Sequence, residues 1–102
     1  MAGSILQVNF KFNIQRAQYE EAATELARSF AKVEGLRWKI WLMDEAKSEA
    51  GGIYFFDNSS SLTSYLEGPL AAQVSSHPAF SEMSVKRFDV LDEPTVITRG
   101  SV

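Results

Sequence analysis

Hydrophobic and polar residues alternate with a period of two in four separate stretches of the chain. In residues 4–12 the alternation places Leu6, Val8, Phe10 and Phe12 on one face and mostly polar residues on the other. This pattern is typical of a β-strand with one face against a core. Three further strands are predicted over residues 36–43, 50–56 and 84–91, and a polar loop joins the first two of these as a hairpin.

Two stretches between the strands follow a helical period instead. From Arg16 to Glu34 the apolar residues recur every three or four positions, and Gly35 then suits the left-handed residue that often follows a helix. Residues 57–61, DNSSS, are rich in helix-capping side chains and begin a second helix. Gly68-Pro69 divides that helix into two pieces, and Pro78 ends it.

The resulting order is β-α-β-β-α-β, an α+β fold of the ferredoxin-like type. Its four-stranded antiparallel sheet would carry both helices on one face. The other face would be open and apolar, with Ile5, Trp41, Met43, Ile53, Phe55 and Val85. Such a face usually marks an interface, so we predict a homodimer in which two sheets meet.

One stretch, GLRWKIWLM at 35–43, holds both tryptophans of the chain. A period of two places them on opposite faces of the predicted strand. We expect Trp38 to face the helices and Trp41 to face the partner. Arg37 and Lys39 would then be charged residues at the rim of the dimer interface.

Composition narrows the class of protein. Its 102 residues suit one domain over residues 1–102, and the net charge of −3 argues against nucleic-acid binding. Without cysteine, and with one histidine and scattered acids, we expect no bound metal and no cofactor. We see no signal-peptide pattern and no apolar run near the ~20 residues that span a bilayer. The prediction is a cytoplasmic protein with no membrane partner.

A histidine and a group of aromatic residues are the candidates for chemistry. Histidine titrates near neutral pH, so His77 is either a catalytic base or a cation at a helix end. The aromatic residues either form a pocket between the sheet and the second helix or are simply core. Buried tyrosine hydroxyls need a partner, which favours a cavity near Tyr54 or Tyr65. The aromatic candidates are Phe10, Trp38, Tyr54, Phe56 and Tyr65.

Four stretches of sequence together resemble one known family. They are ILQVNFKFN at the start, GLRWKIWLMDEAKSEAGGIYFF at 35–56, SLTSYLEG at 61–68 and VKRFDVLDEP at 85–94. In these stretches, and in order over nearly the whole chain, the protein resembles the YdhR-like monooxygenases of the dimeric α+β barrel superfamily. The combination of W-K-x-W with E-A-G-G-I-Y is fairly specific.

The resemblance implies a homodimer with a small, mainly apolar pocket for an aromatic substrate. Related antibiotic-pathway monooxygenases oxidise phenolic substrates with O₂ and no bound flavin, haem or metal. The substrate supplies the electrons, while the protein deprotonates a phenol and excludes water. On this interpretation His77 is the candidate base, and Tyr54 and Tyr65 are candidate hydrogen-bond donors to the substrate. Phe10, Trp38 and Phe56 would bind the substrate by stacking.

Several alternatives stay open from the sequence. The catalytic Asn and Trp of those antibiotic-pathway relatives correspond here to Gly52 and Phe56, so their active-site residues do not transfer directly. Haem-degrading members use an Asn, a His and a strand-end Trp, of which this chain offers only Asn9 and His77. The protein could also bind an aromatic ligand without catalysis, or be a dimeric structural module. A rival site is the barrel face of the sheet, with Gln7, Asn9, Lys39 and Trp41.

Overall fold

A computed structural model describes residues 3–102. The elements are β1 (Ser4–Phe12), α1 (Arg16–Phe30), β2 (Leu36–Asp44), β3 (Glu49–Phe56), α2 (Ser59–Leu66), α3 (Pro69–Ser75), β4 (Phe80–Asp89) and α4 (Asp92–Ile97). The predicted β-α-β-β-α-β order and ferredoxin-like fold are confirmed. Helix α4 was not predicted, because residues 91–102 follow neither period clearly. Within residues 3–102, no helix is both long enough and apolar enough to cross a bilayer.

Local capping explains where the helices begin and end. The Asn58 side chain accepts a hydrogen bond from the Ser61 amide at 2.8 Å and so caps α2. Pro69 occupies the first turn of α3, which therefore begins directly after α2 ends. Helix α1 ends at Phe30, earlier than the predicted Glu34, and Gly35 with φ of 84° completes the turn into β2.

The sheet has the strand order β2-β3-β1-β4, with each neighbouring pair antiparallel. Residues directly opposite each other lie on the same face, so the pairing of Leu6 with Tyr54 and of Phe10 with Ala50 defines the helix face. Helices α1, α2 and α3 cover this face. The core between them includes Leu6, Val8, Phe10, Phe12, Tyr19, Phe30, Tyr54, Phe56, Leu62 and Tyr65.

An irregularity in β2 reverses the predicted orientation of both tryptophans. Leu36 pairs with Phe56, but the next pair is Trp38 with Phe55, so Arg37 is an extra residue on β2. One extra residue shifts the alternation by one position. The expectation for the tryptophans was therefore wrong: Trp38 lies on the open face, and Trp41 lies on the helix face against Phe30.

Two other residues assigned to the open face also lie on the helix face. Met43 packs against the helix-side core with Trp41, and Val85 pairs with Val8 of the helix face. Ile5, Ile53 and Phe55 do lie on the open face, as expected from the alternation. Val85 remains 48% exposed because it lies on β4, at the edge of the sheet.

Residues 91–102 cover one end of the open face. The indole N–H of Trp38 donates to the Ser101 carbonyl at 2.8 Å, and its ring packs on Phe55 with centroids 5.4 Å apart. Ile40 and Phe88 lie elsewhere on this face and are about half exposed, at 53% and 50%. An apolar open face thus remains, although with a different set of residues from the predicted one.

Candidate functional site

Two clusters of aromatic rings lie between the helices and the sheet. The first cluster is Phe10, Phe12, Tyr19 and Phe80, and its closest ring centroids, those of Phe10 and Phe80, are 4.4 Å apart. The second cluster is Phe30, Trp41, Tyr54, Phe56 and Tyr65, with centroids 5.4–6.2 Å apart. Their spacing is that of favourable aromatic pairs, so both clusters are well-packed parts of the core.

A small void separates the two aromatic clusters. Its volume is about 10 Å³, at most the room for one water molecule. Both clusters contribute to its wall, together with one charged residue, Lys39. The remaining lining is apolar and comes from Ala23 and Leu26 of α1, Gly51 of β3 and Val74 of α3.

Lys39 places a single cation against three aromatic rings. Its Nζ lies 3.5 Å from the centroid of Trp41, 3.6 Å from that of Phe30 and 4.4 Å from that of Tyr54. The residue pairs with Tyr54 in the sheet and so lies on the helix face. This corrects the expectation that Lys39 is a charge at the rim of the dimer interface. Nη1 of Arg37, the extra residue of β2, lies 3.5 Å from Oδ1 of Asp57, and both side chains are half exposed.

Gly52 makes the room for this lysine. It pairs with Trp41 and with Val8, so any side chain at this position would point toward the helices. A Cβ on Gly52 would lie 2.8 Å from Cε of Lys39, which is closer than real contacts allow. The sequence therefore leaves a gap on β3, and the aliphatic part of Lys39 fills it.

No carboxylate accompanies the Lys39 ammonium. The lining of the void contains no acidic residue, and within residues 3–102 no Asp or Glu forms a salt bridge with Lys39. Burial lowers the pKa of Lys39 to about 7, since the void offers little water to solvate its charge. The faces of the three rings oppose that shift by attracting the cation. Lys39 can therefore gain or lose a proton near neutral pH.

The Tyr54 and Tyr65 hydroxyls lie 3.4 Å apart in the buried core. Burial raises the pKa of both phenols, so both stay protonated at neutral pH. Only one of the two hydrogens can serve the bond between them. Among residues 3–102 the other hydrogen has no acceptor within bonding distance, so the pair has one donor to offer a ligand.

His77 lies beside the void rather than in its wall. Its ring stacks on Phe80, which does line the void, at a centroid distance of 4.4 Å. Nδ1 accepts the Ala79 N–H at 3.1 Å, so a neutral ring carries its hydrogen on Nε2. A crevice of about 280 Å³ between α1 and α3 includes His77, and Leu26 and Val74 separate it from the void.

The structure brings some predicted site residues together and not others. Phe10 and Tyr54 line the void, while Phe56 and Tyr65 pack directly behind Tyr54. Trp38 is on the opposite face of the sheet. Asn9 is also on that face, away from His77, so the two residues required for the haem-degrading alternative do not meet. In the described part of the chain, no three His, Asp or Glu side chains gather as metal ligands.

Lys39 and Trp41 are the site residues that the sequence analysis misplaced. The rival site on the barrel face needed both of them beside Gln7 and Asn9, but the sheet separates the two pairs. A period of two places the two tryptophans on opposite faces, so only one of them can face the helices. The two possible phases of the strand were not distinguishable without its partner, β3.

Two larger grooves adjoin the site. One, of about 540 Å³, runs between α1 and β2 and shares Tyr19, Ala23 and Trp41 with the void. The other, of about 620 Å³, lies between the end of α1 and helices α2 and α3 and includes Tyr65. Trp41 is only partly buried, and it lines both the first groove and the void that contains Lys39.

Residues 5–101 match the model of the family described as "Putative mono-oxygenase ydhR". The chain belongs to this family. The resemblance seen in the sequence is thereby confirmed. The comparison with curated proteins gives no match.

Solved structures support the same fold. The chain is similar to SnoaB, a cofactor-independent oxygenase from Streptomyces nogalater, with 16% identity, a TM-score of 0.70 and coverage of 91% of this chain and 100% of SnoaB. A protein from Bacteroides thetaiotaomicron described as a possible oxidoreductase has 22% identity, a TM-score of 0.69 and coverage of 87% and 98%. A dimeric ferredoxin-like protein from Thermobifida fusca has 18% identity, a TM-score of 0.69 and coverage of 87% and 92%.

Proposed function

We propose that this protein is a cofactor-independent monooxygenase that oxidises a small aromatic or phenolic compound with O₂. The observation that carries the proposal is the void between two aromatic clusters, with an ionisable lysine and an unused tyrosine hydrogen at its wall. Membership of a monooxygenase family and the fold shared with SnoaB support it. Ring faces bind aromatic compounds by stacking, and a dry site protects reactive intermediates from water.

The chemistry needs no electron donor other than the substrate. A hydroxyaromatic substrate loses a proton, and the electron-rich anion reacts with O₂ to form a new C–O bond. Where the attacked carbon carries two hydrogens in its keto form, CH₂ plus O₂ gives C=O plus H₂O, so atoms and electrons balance. The protein's part is to hold the ring, stabilise the anion and accept the proton.

A substrate must open the site, because a void of about 10 Å³ cannot contain an aromatic ring. We place the entrance at Trp41, which separates the void from the groove along β2. Rotation of this one side chain would join the two spaces. The expected consequence is that a bound ligand changes the fluorescence of Trp41 and not that of Trp38.

The test combines two variants with two measurements. Trp38→Phe leaves Trp41 as the reporter, and Trp41→Phe leaves Trp38, which lies on the other face of the sheet. Naphthols and hydroxyquinones should quench the fluorescence of Trp38→Phe, and the wild type should consume O₂ in their presence. Quenching without O₂ uptake would instead support the alternative of a non-catalytic aromatic-ligand binder. Quenching of Trp41→Phe alone would place the site on the open face and contradict the proposal.

We further propose that the protein is a homodimer joined through the open faces of its sheets. Ile40 and Phe88 are half exposed there, and large exposed apolar residues on one sheet face favour association. The Thermobifida fusca protein of similar fold is described as dimeric, which supports the proposal. The candidate site is on the helix face, so each protomer would hold its own site.

A further inference from the structure

No acidic residue of the site neutralises the charge of Lys39. Buried charges in proteins are normally paired, since an isolated charge in an apolar setting is costly. Lys39 is partly buried, with aromatic rings on three sides and no acid among the residues that line the void. Its amino group is therefore placed where an incoming group with negative charge would complete the site.

We propose that Lys39 binds the ionised oxygen of a hydroxyaromatic substrate and so selects phenolate or enolate anions over neutral aromatic compounds. The proposal rests on the proposed function for the location of the site, and it names the substrate class and a catalytic residue. Lys39 would hold the anion in place while O₂ attacks the ring carbon. Lysine suits this task because its ammonium is a compact charge on a flexible stem.

The other residues that line the void around Lys39 are neutral or apolar. Tyr54 of β3 and Tyr19 of α1 are the titratable groups that line the void with it, and burial raises the pKa of each phenol. They are neutral at physiological pH and do not compete as anions. Leu26 and Phe30 of α1, Val74 of α3 and Phe80 of β4 are apolar. An anionic ligand would thus find one cation and no repelling carboxylate.

Proton transfer between Lys39 and the substrate is balanced. A neutral Lys39 amine can take the proton of an entering phenol, which yields the ammonium and the phenolate in contact. No further base is needed for this step. The Tyr54–Tyr65 pair can then donate its unused hydrogen to the same ligand.

A coloured phenol and its methyl ether provide the test. 4-Nitrophenol and 4-nitroanisole have nearly the same shape, but only the first can ionise, and its anion is yellow. We expect wild-type protein to bind nitrophenol at least about tenfold more tightly than nitroanisole and to lower the pH at which bound nitrophenol turns yellow by about 1 unit or more, as an adjacent cation does. Lys39→Met should abolish both effects and leave nitroanisole binding within about threefold, because Met fills a similar volume without charge.

The outcomes separate this inference from the proposed function. Equal affinity of the wild type for the two probes, or an unchanged colour transition, would overturn the role of Lys39, and neither result depends on the variant folding. Failure of both probes to bind at millimolar concentration would also overturn the role of Lys39. O₂ uptake with a true substrate that is unaffected in Lys39→Met would leave the oxygenase standing and refute the lysine. Lysine-dependent binding without O₂ uptake by any hydroxyaromatic would refute the oxygenase alone.

Discussion

Replacing Lys39 by methionine should change the pH dependence of folding stability in a calculable way. Burial lowers the pKa of Lys39 from 10.5 to about 7, so between these values the unfolded chain binds more protons than the folded protein. Below about pH 7 the lysine is charged in both the folded and the unfolded state, and the full cost of burying its charge then destabilises the folded protein. The penalty is lost progressively as the pH rises toward 10.5. Lys39→Met carries no such penalty at any pH.

The size of the effect follows from the shift. A change of about 3.5 pKa units corresponds to about 5 kcal/mol at low pH, and each unit is worth 1.36 kcal/mol. Linkage gives a remaining penalty of about 4 kcal/mol at pH 7 and about 2 kcal/mol at pH 9. The cation–π contacts with Phe30, Trp41 and Tyr54 reduce the penalty at every pH where the lysine is charged.

Urea unfolding of the two proteins at several pH values measures this difference. The advantage of Lys39→Met over wild type in the free energy of unfolding should fall by about 2 kcal/mol between pH 7 and pH 9. Burial raises the pKa of Tyr19 to about 12, so that phenol does not interfere in this range.

A matched control is Lys32→Met, which removes an exposed lysine just beyond α1. This control measures how much of the pH dependence comes from removing the charge of an exposed lysine. A flat difference for Lys39→Met would show that the Lys39 ammonium is hydrated in the folded protein. That result would refute the reasoning about the site, because an ammonium in contact with water has no need of an anionic ligand.

Three further predictions concern the site and the sheet. Gly52→Ala should displace the Lys39 side chain, since the new Cβ would lie 2.8 Å from Cε, and should weaken nitrophenol binding at least about fivefold. Tyr54→Phe and Tyr65→Phe should each lower the free energy of unfolding by about 1 kcal/mol, and the double variant should cost less than their sum because the two hydroxyls share one hydrogen bond. Additive costs would show that the 3.4 Å contact is not a bond. Ile40→Glu on the open face should convert the proposed dimer to a monomer in a sedimentation experiment, whereas Glu21→Lys at an exposed position of α1 should not. A wild-type protein that sediments as a monomer at micromolar concentration would contradict the proposed interface.

The order of elements could be predicted because each one has a local cause. Alternation in residues 4–12 and the helical stripe after Arg16 reflect burial of one face, and Asn58 and Pro69 specify helix starts through their own side chains. The stretches that resemble one family span these same elements, so the family could also be recognised from the sequence. Phe10 and Tyr54 were correctly placed on the helix face, as both lie on strands with regular alternation there.

The position of Lys39 could not be predicted, because it depends on two strands at once. The extra residue Arg37 sets the phase of β2, yet its presence shows only in the pairing of Leu36 and Trp38 with successive residues of β3. A charged residue flanked by Trp38 and Ile40 favours the solvent side in any single-strand interpretation. The missing information is the partner strand, where Gly52 leaves the space for a lysine side chain to turn inward.

Two features, the extra residue in β2 and the glycine on β3, act together to place a cation against the aromatic rings of the core. Without the shift at Arg37 the ammonium would point to the open face, where water or a partner's acid could solvate it. With a side chain at position 52, the Cε atom of Lys39 would have to move away from its present place. Burial lowers the pKa of Lys39 to about 7, so at and below neutral pH the charged side chain destabilises the fold and an apolar residue at position 39 would not. An unpaired cation held against three aromatic rings at this cost is explained by a ligand that needs the charge.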